Sequence, residues 1–271
     1  MILATSTLLA ALYPLSGLHI DHVPIAVHDL PAAVAQFRAR GFTIKPGRPH
    51  QNGIENASIK FGDGSYVELI TAHNGTDRLA KQYEEILRTT EGASYLFLRD
   101  ANGEFTARVV GAGGQREESG PFAFTELPPS WHTPRLQVIQ YLTPAEDSPE
   151  IYRHVNGALR VAAVWIFVDD RNEPLIQELG ALPEAISPLG FDHRGARPVE
   201  LANRTRLLLT KRRVGDPTGV PVPAILIEVE SLDRLRKPIG HEPTVPRGDA
   251  LWLPPTRMHG LWIGFVERSK W

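Results

Sequence analysis

From residue 18 onward, short apolar runs alternate with polar, glycine-punctuated gaps, and the same order of runs occurs twice. The run 18–29 and the run 159–170 carry apolar residues at matching places, and each ends in an Asp that leads into a helical pattern. A short apolar run bounded in this way predicts a strand. Apolar residues three and four apart then predict short helices over 31–41 (Val34, Phe37) and 173–180 (Leu175, Ile176, Leu179). Each ends in a glycine, Gly41 or Gly180, the residue that suits a helix C-terminus. A hairpin follows each helix. One spans 59–69 and turns at Asp63-Gly64, and the other spans 199–209 and turns at the weaker signal Asn203-Arg204. Each unit reads β-α-β-β-β.

Two fainter copies fill the gaps. The first takes a strand over 93–100, a helix over 101–110 and strands near 122–124 and 136–142; Gly111-Ala-Gly-Gly114 reads as its helix stop. The second takes a strand over 224–229, a stub of helix over 232–236 and a last strand over 261–266. Four modules result, at 18–73, 91–143, 158–213 and 222–269, with a connecting helix over 76–89. Pairs of such modules close into half-open barrels with a concave sheet face. The expected architecture is therefore α+β, with two cup-shaped domains, 18–143 and 158–271, joined by a linker over 144–157 that contains Asp147-Ser148-Pro149.

Composition narrows the chemistry. The hydrophobic fraction of 42% and charged fraction of 22% are those of a globular protein. The net charge of −2 offers no field to hold nucleic acid or an anionic membrane, and Lys211-Arg212-Arg213 reads as a solvated strand end. With no cysteine, disulfides, thiolate metal sites and thiol nucleophiles are excluded, so any metal must be held by His, Asp, Glu or water. Residues 1–17 form an apolar leader without a charged residue, interrupted by Pro14. The leader lacks the basic start of a signal peptide and falls short of the roughly 20 residues of a membrane span. A cytoplasmic protein whose leader packs on the body is the expectation, with export the alternative if the leader is a signal peptide. No dinucleotide fingerprint, phosphate loop, nucleophile elbow or His-Glu-x-x-His helix occurs.

The first strand carries His22 and the fourth strand of the same module carries Glu68. Strict alternation puts His22 on one face with Ile20 and Pro24, and Glu68 on one face with Tyr66 and Ile70. An apolar strand seldom buries a carboxylate without a partner, so an imidazole and a carboxylate are expected to converge across the sheet. A plain ion pair between the two is the alternative to a ligand set.

Four stretches make a family resemblance specific: Ile20 through Leu30, Phe61 through Ile70, the loop holding His50, Gly53 and Asn56, and His154-Val-Asn-Gly157. They resemble the glyoxalase-like branch of the vicinal-oxygen-chelate superfamily, with Val155 in place of a proline. The resemblance implies a metal site fed by His and Glu from the first and fourth strands of paired modules. Carried over residue by residue, His22 and Glu68 match. Module two offers Ala93 and Gln140, module three Ala163 and Leu208, and module four Ala224 and Gly264, so a full set of four ligands is missing. Two protein ligands fall short of the three usual for catalytic zinc or an iron facial triad. His50, His132 or His154 remain as sources of a third. An extradiol dioxygenase is disfavoured, because its iron site would need ligands where Ala163, Ala224 and Gly264 stand.

The resulting expectation is a lyase or isomerase assisted by a divalent metal (Zn, Mn, Fe or Ni) and acting on a small oxygenated molecule. His22 and Glu68 would be the ligands, with Glu68 doubling as base. His50, Asn56, Gln140 and His154 would contact substrate, and the C-terminal pair of modules would be scaffold. The rival expectation is a metal-free protein that binds or sequesters a small molecule in the same cup.

Overall fold

The computed structural model describes Leu15 and residues 17–48, 50–133, 135–144, 147–186, 189–191 and 193–271. The leader thus lies almost wholly outside the described residues. The first module is β1 (Leu18–Ala26), α1 (Leu30–Ala39), β2 (Lys45–Pro46), β3 (Ile54–Lys60) and β4 (Tyr66–Ala72). Helix α2 (Arg78–Thr89) leads to β5 (Gly92–Ala93), β6 (Leu96–Asp100), α3 (Glu104–Gly111), β7 (Gln115–Ser119), β8 (Phe122–Glu126) and β9 (Leu136–Tyr141). The third module is β10 (Ala158–Val168), α4 (Glu173–Glu178), β11 (Ala185–Ile186), β12 (Gly195–Glu200) and β13 (Arg206–Lys211). The last is β14 (Ala224–Val229), α5 (Leu232–Ile239), β15 (Val245–Arg247), β16 (Ala250–Leu253) and β17 (Trp262–Glu267). The βαβββ order occurs four times, as the sequence predicts.

The strands form two sheets, β2-β3-β4-β1-β6-β9-β8-β7, with β5 attached to β1, and β11-β12-β13-β10-β14-β17-β16-β15. In each, two modules meet through antiparallel first strands, β1 with β6 and β10 with β14. Local chemistry sets the ends of the elements. Asp29 caps α1 by accepting from the Ala32 amide at 2.9 Å, with Pro31 in the first turn, and Asp77 caps α2 in the same way. Gly64 and the pair Asn203-Arg204 both take positive φ, as tight hairpin turns demand.

One apolar layer joins the halves. Leu18, Val23 and Ile25 of β1 pack in the same cluster as Val161, Val164 and Ile166 of β10, with Phe37 of α1, Phe105 of α3, Leu175 of α4 and Leu235 of α5 between them. The helices are therefore shared by both sheets, and each sheet turns its other face outward. That face of the N-terminal sheet holds a second cluster, in which Tyr83, Ile86 and Leu87 of α2 pack on Ile70, Tyr95, Phe97 and Ile139. The corresponding face of the C-terminal sheet is plugged by its own side chains. Trp165, Phe191 and Trp252 meet with ring centroids 5.6–6.0 Å apart, and Gly264 leaves the room that Trp252 fills, since a Cβ there would lie 2.7 Å from the indole.

Two hairpin strands escape the apolar pattern. β7 is Gln-Arg-Glu-Glu-Ser, wholly exposed at a sheet edge, and β15 is a three-residue edge strand turned by Gly248. Edge strands are often charged and short, which removes the signal by which a strand is read. Among the described residues no helix is long and apolar enough to cross a membrane.

The segment 154–157 staples the two halves together. His154 Nδ1 accepts from the Thr43 amide and Nε2 donates to the Lys60 carbonyl, each at 3.0 Å, while the ring sits edge-on to Phe42 and Phe61. Asn156 donates to the Arg40 carbonyl at 2.9 Å and accepts from the Ala158 amide at 3.0 Å. Burial holds the His154 imidazole at about 4, against an ordinary value of 6.5. As pH falls, the unfolded chain then takes up this proton before the folded one. The stability that this group contributes is full above about pH 6.5 and is lost progressively as pH drops towards 4, by on the order of 3 kcal/mol. Urea unfolding between pH 7.5 and 4.5 should show that fall, and His154→Gln, which can keep one donor and one acceptor, should flatten it. An unchanged slope would remove His154 from the acid limb.

Candidate functional site

The outward face of the N-terminal sheet brings together three of the expected polar residues, His22, Glu68 and Asn56, and adds Asp21, Tyr66 and Tyr141. Strict alternation along β1 fails at one point. Ile20 pairs with Leu98 and His22 with Phe97, so Asp21 is an extra residue on β1, as in a β-bulge. The bulge shifts the phase. Ile20 joins the inner core with Val23 and Ile25, while His22 turns to the cup with Pro24 and Ala26. The expectation that His22 and Ile20 share a face is corrected by this bulge. Strand β10 has the same irregularity between Val161 and Ala163.

His22 is 5% exposed. Its ring is clamped between Tyr66 and Phe97, nearly parallel to both at centroid distances of 4.4 and 4.2 Å. Nδ1 lies 2.6 Å from Asp21 Oδ1, and Nε2 lies 3.9 Å from Glu68 Oε2. Asn56 donates to Glu68 Oε1 at 2.6 Å and so fixes that carboxylate. Tyr141 donates to Asp21 Oδ1 at 3.2 Å, and its hydroxyl also meets that of Tyr66. Burial first, and the nearby Asp21 carboxylate second, hold both phenols well above the ordinary tyrosine range, so they remain donors throughout the range in which proteins work. Two buried acceptors, Asp21 Oδ2 and Asn56 Oδ1, have no partner. The gap between His22 and Glu68 is too long for a direct hydrogen bond and wide enough for one atom of a water or ligand to bond to both.

The other expected contacts fall elsewhere. Gln140 lies on the inner face with Val138 and approaches the Asp100 carbonyl at 3.5 Å, because the cup-facing positions of β9 are Gln137, Ile139 and Tyr141. His154 is taken up by the seam between the sheets. The His50 side chain is exposed on the loop before β3, where its backbone bonds to Ile54 and Gly53; no hydrogen bond, ion pair or ring contact joins it to the pair among the described residues. His132 is exposed and left-handed, and its carbonyl accepts from Asn172. Asp21, Tyr66 and Tyr141 escaped the sequence reading as site residues. Alternation already put Tyr66 on the face of Glu68, but only the bulge brings in Asp21 and only the phase of β9 brings in Tyr141, and neither shows in an apolar pattern.

Whether a metal fits can be judged from the positions equivalent to His22 and Glu68. Phe97 faces His22 across the strand pair, and Ile139 stands two residues past Gln137 as Glu68 stands two past Tyr66. These replace Ala93 and Gln140 as the module-two equivalents. In the C-terminal sheet the same positions are Ala163, Leu208, Leu226 and Val266, all buried in the aromatic plug; the last two replace Ala224 and Gly264. Among the described residues no three His, Asp or Glu side chains are grouped to hold an ion. Two donors, His22 Nε2 and Glu68, are one short of the three usual for a catalytic zinc site, so the residues present do not fit a resident metal centre.

Tandem βαβββ modules paired into two curled sheets, with one polar cup and one plugged cup, define the class. A family model for the glyoxalase-like domain matches residues 20–181, and the chain belongs to that family. No curated protein is similar enough to match. Solved structures share the fold at 11% identity. One is a triple mutant of 4-hydroxymandelate synthase from Streptomyces coelicolor, with a TM-score of 0.63 and 93% of each chain covered. Another is a fusion of a xylose isomerase-like TIM barrel with 4-hydroxyphenylpyruvate dioxygenase, with a TM-score of 0.61, of which this chain spans 49%. A third is a hypothetical protein from Staphylococcus aureus, with a TM-score of 0.53, covering 92% of this chain and 99% of that one.

Removing the Tyr141 hydroxyl tests the geometry of the cluster. Tyr141→Phe should cost about 1–2 kcal/mol in urea unfolding, the value of a hydrogen bond to a carboxylate in a partly buried site. A neutral substitution would mean that Asp21 does not use this donor.

Proposed function

We propose that the N-terminal cup binds a small oxygenated molecule and moves a proton on it, in the manner of an isomerase or lyase and without a resident metal. One observation carries this reading: an imidazole held at Nδ1 by Asp21, with its Nε2 3.9 Å from the Asn56-anchored Glu68, inside an aromatic cup. The contact with Asp21 sets the ring's orientation and places a proton on Nδ1, which leaves Nε2 to exchange one with a ligand. Glu68 takes a proton from carbon beside a carbonyl. It relays that proton to His22 Nε2, which delivers it to the neighbouring atom, so both groups return to their starting states, while the Asp21 carboxylate offsets the charge that the imidazole carries in between. The Tyr66 and Tyr141 hydroxyls offer hydrogen bonds to the oxygen on which charge then develops. The aromatic walls exclude water, which strengthens each of these interactions. His22 and Glu68 as ligands of an added divalent ion is the finer expectation that this reading replaces, because Phe97 and Ile139 fill the remaining ligand positions.

A second reading is binding without turnover. It is favoured by the covered faces of His22 and by Tyr83, Ile86 and Leu87 of α2, which occupy part of the cup. Deuterium exchange separates the two. In heavy water, proton NMR of a panel of small 2-oxo acids, hydroxyaldehydes and hydroxyketones should show protein-dependent exchange of a carbon-bound proton, unchanged by a chelator. Glu68→Gln and His22→Gln should each slow it by about 100-fold or more, the usual contribution of a positioned acid or base. Exchange that requires an added metal would contradict the proposal. Thermal stabilisation by a compound without exchange would leave the binding reading.

A further inference from the structure

A pocket of about 300 Å³ opens at one end of the same cup, lined by Lys60, Gly64, Arg99, Tyr141, Pro144, Asp147 and Tyr152. It adjoins the cluster directly. Tyr141 belongs to both, and the Lys60 ammonium stands over the Tyr66 ring at 5.3 Å. Strand phase explains the arrangement. Lys60 follows Asn56 and Ser58 on the cup face of β3, and Arg99 follows Phe97 on the cup face of β6, so both cations close the end of the barrel at which β3 and β6 finish.

The charges there do not balance. Asp147 is bonded to both Lys45 and Lys60, and also accepts from Tyr152 at 3.4 Å. Arg99 has no carboxylate partner among the described residues. Its one hydrogen bond runs to the Asp63 carbonyl at 3.4 Å, while the Asp63 carboxylate is taken by the Ser65 amide and hydroxyl. A guanidinium presents five donors in a fork that suits a carboxylate, and most of them are idle here. Among the described residues, Lys45 and Lys60 share one aspartate and Arg99 has none. Among the residues that line the pocket, Lys60 and Arg99 stand against the single carboxylate of Asp147, which leaves the lining with one net positive charge.

We infer that this end of the cup is an anion anchor, in which Arg99, flanked by Lys60, holds the carboxylate of a small monoanionic organic acid whose body extends past Tyr141 towards His22 and Glu68. The inference rests on the proposed ligand-binding role of the cup and names its substrate class, an organic acid rather than a neutral carbonyl compound. The carboxylates of Asp147 and Asp21 border the space, so a single negative charge is matched better than the two of a phosphate.

Calorimetric titration with benzoate and phenylacetate, beside benzamide and phenylacetamide as neutral shapes, tests it on the full chain. The acids should bind at least about tenfold more tightly than the amides, the factor expected of one charge-assisted contact. Arg99→Gln should erase that difference, Arg99→Lys should keep part of it, and raising salt should reduce it. His22→Gln, which disables the proposed proton transfer, should keep the preference for acids, so loss of exchange activity and loss of the anchor are separate results. Circular dichroism on each variant identifies any that fail to fold, and Arg99→Lys then stands in for Arg99→Gln. Equal binding of acids and amides, no binding of either, an acid preference that survives Arg99→Gln in folded protein, or tighter binding of inorganic phosphate through Arg99 would each overturn the inference.

Discussion

The shared apolar layer is the constraint from which the rest follows. Helices from all four modules lie between the two sheets, and Phe37, Phe105, Leu175 and Leu235 bury their side chains in a core to which both contribute. Because that layer occupies one face of each sheet, the other faces are turned outward and each must be covered or used. The seam segment carrying His154 and Asn156 fixes the halves in register through backbone groups of the first module, so the layer is locked as well as apolar.

The two outward faces solve the same problem in opposite ways. In the C-terminal sheet, Ala163, Leu208, Leu226 and Val266 surround an aromatic plug made possible by Gly264, and no polar group is left to act on a ligand at those positions. In the N-terminal sheet the equivalent positions are His22, Glu68, Phe97 and Ile139. Two polar groups survive there, and they are supported by Asp21, Asn56, Tyr66 and Tyr141 rather than by further ligands. Burying Asp21 and His22 is costly unless they satisfy one another. The bulge that places these consecutive residues side by side is what makes the cluster stable. One cup is thus filled by its own side chains, and the other keeps a buried polar cluster.

Much of this was legible in the residues themselves. The repeat of the 18–29 pattern at 159–170, the glycine stops and the Asp63-Gly64 turn predict the four modules, because burial on one face imposes a period that the chain must repeat. His22 and Glu68 were legible for the same reason, as polar side chains on otherwise apolar strands, while Asn56 was legible only through the loop motif it shares with His50 and Gly53. Gln140 was misplaced because one residue of phase reverses a strand's faces, and no apolar pattern fixes the phase of β9 from sequence alone. The relation of Ile20 to His22 was hidden by a bulge, which is set by pairing with β6 rather than by local composition. His154 sits in a motif whose role depends on what packs against it, here Phe42 and Phe61 from a distant module. The charged edge strand β7 carries no burial signal at all.

The central claim is that His22 and Glu68 act on protons and not through a resident ion. Metal content tests it most directly, by plasma mass spectrometry on untagged protein exposed to zinc, manganese, iron and nickel and then freed of unbound ions by gel filtration. The account predicts a content far below one ion per chain, and the same residual level in His22→Ala and Glu68→Ala. Near-stoichiometric metal in the unmodified protein, lost in both variants, would contradict it and restore the pair as ligands.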